Sequence, residues 1–286
     1  MNRANKEIKS ENFVEINANE FKLLRQLIYD KIGINLTDQK KTLLAGRLQK
    51  ILRQFNFKNF DEYYNYLVED KSGKAISNLA NLISTNHTFF GREKDHFDYF
   101  KNFVLPPLVK KRKAQNNKDI RIWSAGCSSG EEPYTIIMYM MEFFGNDYKN
   151  WDAGILATDI SEPVLETAKK GIYSADRLKS MDPVLKRKYF DKLSKEEYRV
   201  KDFVRKEVLF RRFNLMNKTF PFKKPFDTIF CRNVMIYFDS QTRHELTEKF
   251  YSHTIKEGYL FIGHSETLNR ETTRYKYLKP AVYIKL

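Results

Sequence analysis

Residues 121–133 read Arg121-Ile122-Trp123-Ser124-Ala125-Gly126-Cys127-Ser128-Ser129-Gly130-Glu131-Glu132-Pro133. A strand over 119–124 runs into a turn with two glycines, and a helix over 131–144 follows at once. Glycine lets a backbone approach a ligand closely. The turn sits at the carboxyl end of the first strand, where open α/β sheets bind ligands. The pattern repeats downstream. A strand over 154–158 ends at Asp159, with a helix over 161–171 behind it. A third strand spans 226–231 and a helix 241–255, and further strands span 258–263 and 281–285. Strands alternating with helices predict an α/β domain on a largely parallel sheet, Rossmann-like in its winding. Between 189 and 213 the pieces 198–200 and 208–212 favour strand with no long helix between them. They predict a small inserted antiparallel β-subdomain.

Upstream the periodicity is helical over 19–32, 37–55, 60–69 and 73–84, with Thr37 or Asp38 as the cap of the second helix. This predicts a polar leader over 1–15, a small all-helical domain over 16–85, a connecting segment with a helix (86–113), and the α/β domain over 114–286. The chain of 286 residues is long enough for two such domains. Hydrophobic residues make up 42% and charged residues 30%, which excludes a disordered or collagen-like chain. The longest apolar run, 136–141, falls far short of the roughly 18 residues that span a bilayer. The first ten residues lack an apolar signal core. Two cysteines, Cys127 and Cys231, cannot make a disulfide framework. Together these predict a cytoplasmic protein without membrane insertion. Lys and Arg total 51 against 36 acids, a formal charge of +15, which favours an anionic partner.

The chemistry follows from the strand ends. The first turn is neither G-x-G-x-x-G nor a Walker loop, and Glu131 and Glu132 open its helix. Such acids complement a helix N-terminus. They also repel a pyrophosphate and tolerate a ligand with a cationic centre or free amino group, which favours S-adenosylmethionine over NAD or ATP. Asp159 can accept from both ribose hydroxyls of an adenosine. The tip after the third strand, Cys231-Arg232-Asn233-Val234-Met235-Ile236-Tyr237-Phe238, lacks the prolines common where a base amino nitrogen is methylated. His87, His96, His244, His253 and His264 show no metal spacing such as H-E-x-x-H, so no metal is expected.

Several motifs, in order, resemble the CheR family of chemotaxis receptor glutamate methyltransferases. Trp123–Tyr134 resembles its cofactor loop and Cys231–Phe238 its most specific motif. Asn86-His87-Thr88-Phe89-Phe90-Gly91-Arg92-Glu93, Ala157-Thr158-Asp159-Ile160, Phe213-Asn214-Leu215-Met216 and Gly263-His264-Ser265-Glu266-Thr267-Leu268 resemble others. The likeness covers about residues 16–286; Gly91 departs from it, standing where many relatives carry an aromatic residue. It implies a helical domain, an α/β methyltransferase domain and a three-stranded inserted β-subdomain. It implies methyl transfer from S-adenosylmethionine to receptor glutamates, with S-adenosylhomocysteine as product. Asn86, Thr88, Arg92, Glu132, Asp159, Asn214, Leu215, Arg232 and Asn233 would line the cofactor site. Glu132 rather than Glu131 would face the methionine amino end, and Arg92 and Tyr237 would flank the methyl group as catalytic residues. The partners implied are methyl-accepting receptors with glutamate-rich helices, and not nucleic acid. Between 38 and 58 six basic residues face one acid, and Arg47, Lys50 and Arg53 fall along one flank of the second helix. They are expected to dock the receptor helix; a solvated face of a lysine-rich protein is the plainer reading. The alternative function is a non-catalytic S-adenosylmethionine-binding module, which has no need of Arg92, Asp159 and Tyr237 together.

Overall fold

The computed structural model describes residues 13–84 and 87–286. Four helices come first: α1 (Ala18–Ile32), α2 (Lys41–Phe55), α3 (Phe60–Glu69) and α4 (Lys74–Ile83). A capping box opens α1, in which Asn17 accepts from the Glu20 amide and Glu20 accepts in return. Gly33 ends it at φ 79°, and a Cβ there would lie 2.3 Å from the Met216 sulfur. The second helix starts later than its sequence suggests. Asp38–Lys40 forms a 3-10 turn, Thr37 makes no side-chain cap, and Asp38 pairs with Arg25 at 2.8 Å instead.

The connecting helix is three pieces. Residues Lys94–Tyr99 form α5, Phe100–Val104 make a π-helical turn, and Leu105–Ala114 form α6. Pro106 and Pro107 explain the break: neither has an N–H for the preceding turn, and the chain widens just before them.

The α/β domain continues with β1 (Ile122–Ala125), α7 (Glu131–Phe144), β2 (Ile155–Asp159), α8 (Glu162–Lys170), β3 (Ile172–Ser174), α9 (Pro183–Tyr189), β4 (Phe190–Lys192), β5 (Glu197–Val200), α10 (Asp202–Arg205), β6 (Val208–Arg212), β7 (Phe226–Cys231), α11 (Ser240–Ser252), β8 (Thr254–Ile262), β9 (Lys276–Lys279) and β10 (Val282–Ile284). The main sheet runs β6-β2-β1-β7-β8-β10-β9. Strands β6, β2, β1, β7 and β8 are parallel, while β10 is antiparallel to both β8 and β9. Strand order reverses at β1, with β2 on one side and β7 on the other, so a crevice opens above their carboxyl ends.

The inserted sheet differs from its expected bounds. Its order is β3-β5-β4, all antiparallel, so it spans 172–200 rather than 189–213. Residues 208–212 belong to the main sheet, paired parallel to β2 with Leu209 opposite Leu156. As an edge strand, β6 buries Val208 and Phe210 and exposes Leu209. That alternation imitates an antiparallel strand. Strand β3 is three residues long and leaves little periodicity to read.

The helical part is not a separate ball. Leu24, Ile28, Leu48 and Leu79 share one apolar core with Trp123, Ile229 and Leu260 of the sheet. Polar contacts cross the same seam. The Glu162 amide donates to Ser77 Oγ at 2.7 Å, and Tyr29 donates to Asp239 at 2.9 Å. A second core on the other sheet face joins α5, α6 and α7 to the inserted subdomain.

Candidate active site

The crevice above β1, β2 and β7 is a cleft of about 1050 Å³, part of it open to solvent. Its floor is the β1–α7 turn. Gly126 has φ +80°, and a Cβ there would lie 2.4 Å from Val234, so the turn and the β7 tip approach each other only with glycine in place. The amides of Gly126 and Cys127 donate to the Thr158 carbonyl at 2.8 and 2.9 Å. Asp159 completes the turn, accepting from the Ser128 amide on Oδ2 and from the Ser161 amide on Oδ1, both at 2.9 Å. Burial raises its carboxyl, and these backbone donors oppose the rise. Asp159 therefore shapes the turn as well as lining the cleft.

Adjacent positions on a helix diverge by about 100°, and Glu131 and Glu132 separate accordingly. Glu132 lines the cleft, accepting from Ser124 Oγ at 2.7 Å and Arg232 Nη1 at 2.9 Å. Glu131 is fully buried on the other side, bonded by Ser129 and by Arg177 at 3.0 Å. Burial pushes both carboxyls up; Arg232 and Ser124 work against this at Glu132.

Arg232 is 3% exposed and is the centre of a buried ion cluster. Besides Glu132 it donates from Nη2 to the Arg92 carbonyl at 2.6 Å and Glu93 Oε2 at 3.0 Å, and it lies 4.9 Å over the Phe97 ring. At Glu93, burial works to raise the carboxyl, and Arg232 with Asn233 more than offsets it, leaving it below the usual range. Asn233 has φ 59° and donates from Nδ2 to Glu93 Oε1 at 3.2 Å. Its amide donates to Glu266 Oε2 at 2.8 Å, and Glu266 also accepts from Ile236 and Gly263. Glu266 is thus the buried carboxylate that folds the tip. Its place in a quoted motif was the only sequence signal for it.

The remaining expected residues fall as follows. Thr88, Arg92, Asn214, Leu215 and Tyr237 line the same cleft. Arg92 donates to the His87 carbonyl at 2.7 Å. Asn214 is fixed by its donation to the Lys31 carbonyl at 2.6 Å and by accepting from the Met216 amide. Asn86 lies outside the described residues. Ile32, Ile34, Ala80 and Ser84, from the helical part, also wall the cleft, which no motif announced. The basic flank of α2 is elsewhere, and the structure splits it. Arg47 is half-buried and donates to the Ile83 carbonyl at the end of α4, whereas Lys50 and Arg53 are exposed.

Two family models divide the chain in the same place as the fold. "CheR methyltransferase, all-alpha domain" matches residues 19–84, and "CheR methyltransferase, SAM binding domain" matches 86–284. The chain belongs to the CheR methyltransferase family. Among its CheR relatives, the chemotaxis protein methyltransferase of Borreliella burgdorferi is 47% identical over 272 residues, covering 95% of this chain and 96% of that one. That of Escherichia coli is 35% identical over 266 residues, covering 92% and 89%. A probable chemotaxis protein methyltransferase of Rhizobium etli is 34% identical over 248 residues, covering 86% and 91%. The cleft fits the cofactor that the CheR domain takes. Two carboxylates, Glu132 and Asp159, line it together with apolar walls from Ile32, Ile34, Phe97 and Phe213, a lining that fits a ligand with both charged and apolar parts.

Proposed function

We propose that the protein methylates glutamate side chains of chemotaxis receptors, forming γ-methyl esters, with S-adenosylmethionine as donor and S-adenosylhomocysteine as product. The observation that carries this reading is a cleft with two carboxylates for the donor and a proline-free tip opposite them. Asp159 takes the ribose hydroxyls. Glu132, held by Arg232, takes the methionine ammonium. Thr88, Asn214, Leu215 and Asn233 line the rest. When bound, the donor supplies an electrophilic methyl group on a sulfonium.

The chain's own task is then modest in chemistry. A glutamate has a pKa near 4.3 and is already ionised at neutral pH, so no general base is needed. The cleft must hold the carboxylate oxygen in line with the methyl group, and positioning of this kind supplies roughly 7–11 kcal/mol in favourable cases. Arg92 and Tyr237 orient the incoming carboxylate from two sides. Arg232 is committed to Glu93 and Glu132, so its part is to position Glu132 rather than to grip the substrate. Lys50 and Arg53 dock an acidic receptor helix, with Arg47 bracing the helix that carries them. The protein works in the cytoplasm, where such receptor segments lie. No helix among the described residues is long and apolar enough to cross a membrane.

Incubation of the protein with receptor-containing membranes and methyl-tritiated S-adenosylmethionine tests the reading. Label should enter the receptor and be released as methanol by mild base. Base-stable label, or label in nucleic acid, overturns it.

A further inference from the structure

Beside the cofactor cleft, on the far side of Arg232, three ligand-type side chains meet: Glu93 and His96 at the start of α5, and His264 just past β8. One donor atom of each lies within 4.8 Å of the other two. His96 is completely buried, and neither ring nitrogen has a hydrogen-bond partner. A buried imidazole left in that state carries its full desolvation cost, and nitrogens of this kind call for a ligand. The distances say which kind. His96 Nδ1 stands 3.5 Å from Glu93 Oε2, too far for a good N–H···O bond. Two ligands at zinc distances of about 2.0–2.2 Å in a tetrahedral site stand about 3.4 Å apart.

The surroundings agree. The His96 and His264 rings meet edge-on with centroids 4.5 Å apart. Nε2 of His264 lies 3.2 Å from the Asp95 carboxylate, the kind of partner that fixes a metal-bound histidine. His264 is 44% exposed, so an ion has a way in and a water has a fourth position. The carboxylates of Glu93 and Asp95 act on His96 against the guanidinium of Arg232. The sequence hid the cluster because its third member comes from a distant segment.

We infer that Glu93, His96 and His264 form a binding site for a divalent transition metal of the zinc type, and that its occupation weakens cofactor binding. The second half rests on the cofactor reading above. Glu93 Oε2, the oxygen nearest His96, is the one that accepts from Arg232 Nη2, and Arg232 in turn holds Glu132. A cation on that oxygen competes with Arg232 for it and repels the guanidinium, so Glu132 loses its fixed partner.

The full-length protein, stripped with a chelator, is titrated with zinc chloride against a chromophoric chelator. Affinity for S-adenosylhomocysteine is then measured by calorimetry with and without zinc. The expected result is one zinc per chain, with affinity at least about tenfold lower in both His264→Ala and His96→Gln. His264 is partly exposed, so its variant remains informative if His96→Gln does not fold. Absence of stoichiometric zinc, or an unchanged affinity in the folded variants, overturns the site. Zinc-loaded wild type should bind S-adenosylhomocysteine about tenfold more weakly, the worth of one charge-assisted hydrogen bond, and His264→Ala should show no such zinc effect. Equal affinity with and without zinc overturns the coupling. No binding of S-adenosylhomocysteine by the zinc-free wild type overturns the cofactor reading instead, and the zinc stoichiometry still decides the site.

Discussion

At the scale of single residues, the cleft is built from carboxylates that each do two things. Asp159 ties down Ser128 and Ser161 while lining the cleft, so on the proposed reading Asp159→Ala should show in two measurements. Cofactor affinity measured by calorimetry falls by roughly 1.5–3 kcal/mol per charged hydrogen bond lost, and the melting temperature falls as well. Unchanged affinity in the folded variant removes Asp159 from the site. Glu132 gives a pH dependence whose sign follows from its burial. Its folded pKa lies above the ordinary value of 4.5. Holding it ionised therefore costs folding free energy above the folded pKa, and that cost disappears below the unfolded one. For binding the direction is opposite, because an ammonium needs the ionised form. Cofactor affinity should fall on acidification at a higher pH than an ordinary glutamate gives, and Glu132→Gln should be weaker at neutrality with that step abolished. A pH profile identical in wild type and variant denies Glu132 this role. Tyr237→Phe tests a narrower point: cofactor affinity is retained and turnover at saturating receptor drops. Equal turnover makes Tyr237 a wall residue only.

At the scale of elements, α2 presents its charge unevenly, and the docking test must respect that. Arg47 braces the end of α4, so reversing it confounds docking with stability. Lys50→Glu with Arg53→Glu leaves that brace alone. The double variant should raise the apparent Michaelis constant for receptor and flatten its salt dependence, since steering by opposite charge is lost. Cofactor affinity stays the same. Unaltered receptor kinetics at low salt disprove the docking face. The elements also show what a sequence displays and what it hides. Residues 60–69 were legible to the residue because they bury a helical-period face, and 226–231 because a short run rich in strand formers is buried on both sides. The Gly126 turn and the place of Asp159 were legible because a left-handed turn calls for glycine and an acid closing a strand stands at the sheet's carboxyl edge. Strand β3 and the subdomain limits were not, since three residues carry no period and a half-exposed edge strand reads like an antiparallel one. The roles of Glu266 and of the Glu93–His96–His264 cluster were hidden because tertiary contact makes them.

At the scale of the whole molecule, the helical part and the sheet share a core and jointly wall the cleft. Calorimetric unfolding should accordingly give one cooperative transition. Two resolved transitions, with the first leaving cofactor binding intact, contradict a shared core. The inserted subdomain is bound to the cleft in a different way. Arg177 lies between β3 and α9 and donates to the Thr88 carbonyl and to Glu131, while its own carbonyl accepts from the Phe90 amide at 3.0 Å. Two of these bonds cross in opposite directions between the same two strips of chain. The insertion is consequently not an exchangeable cassette. A chimera that grafts in another subdomain without an arginine at this position unclasps residues 88–90 from their support. It leaves the Glu131 carboxylate buried with no counter-charge, and the graft damages a ligand site that it never touches.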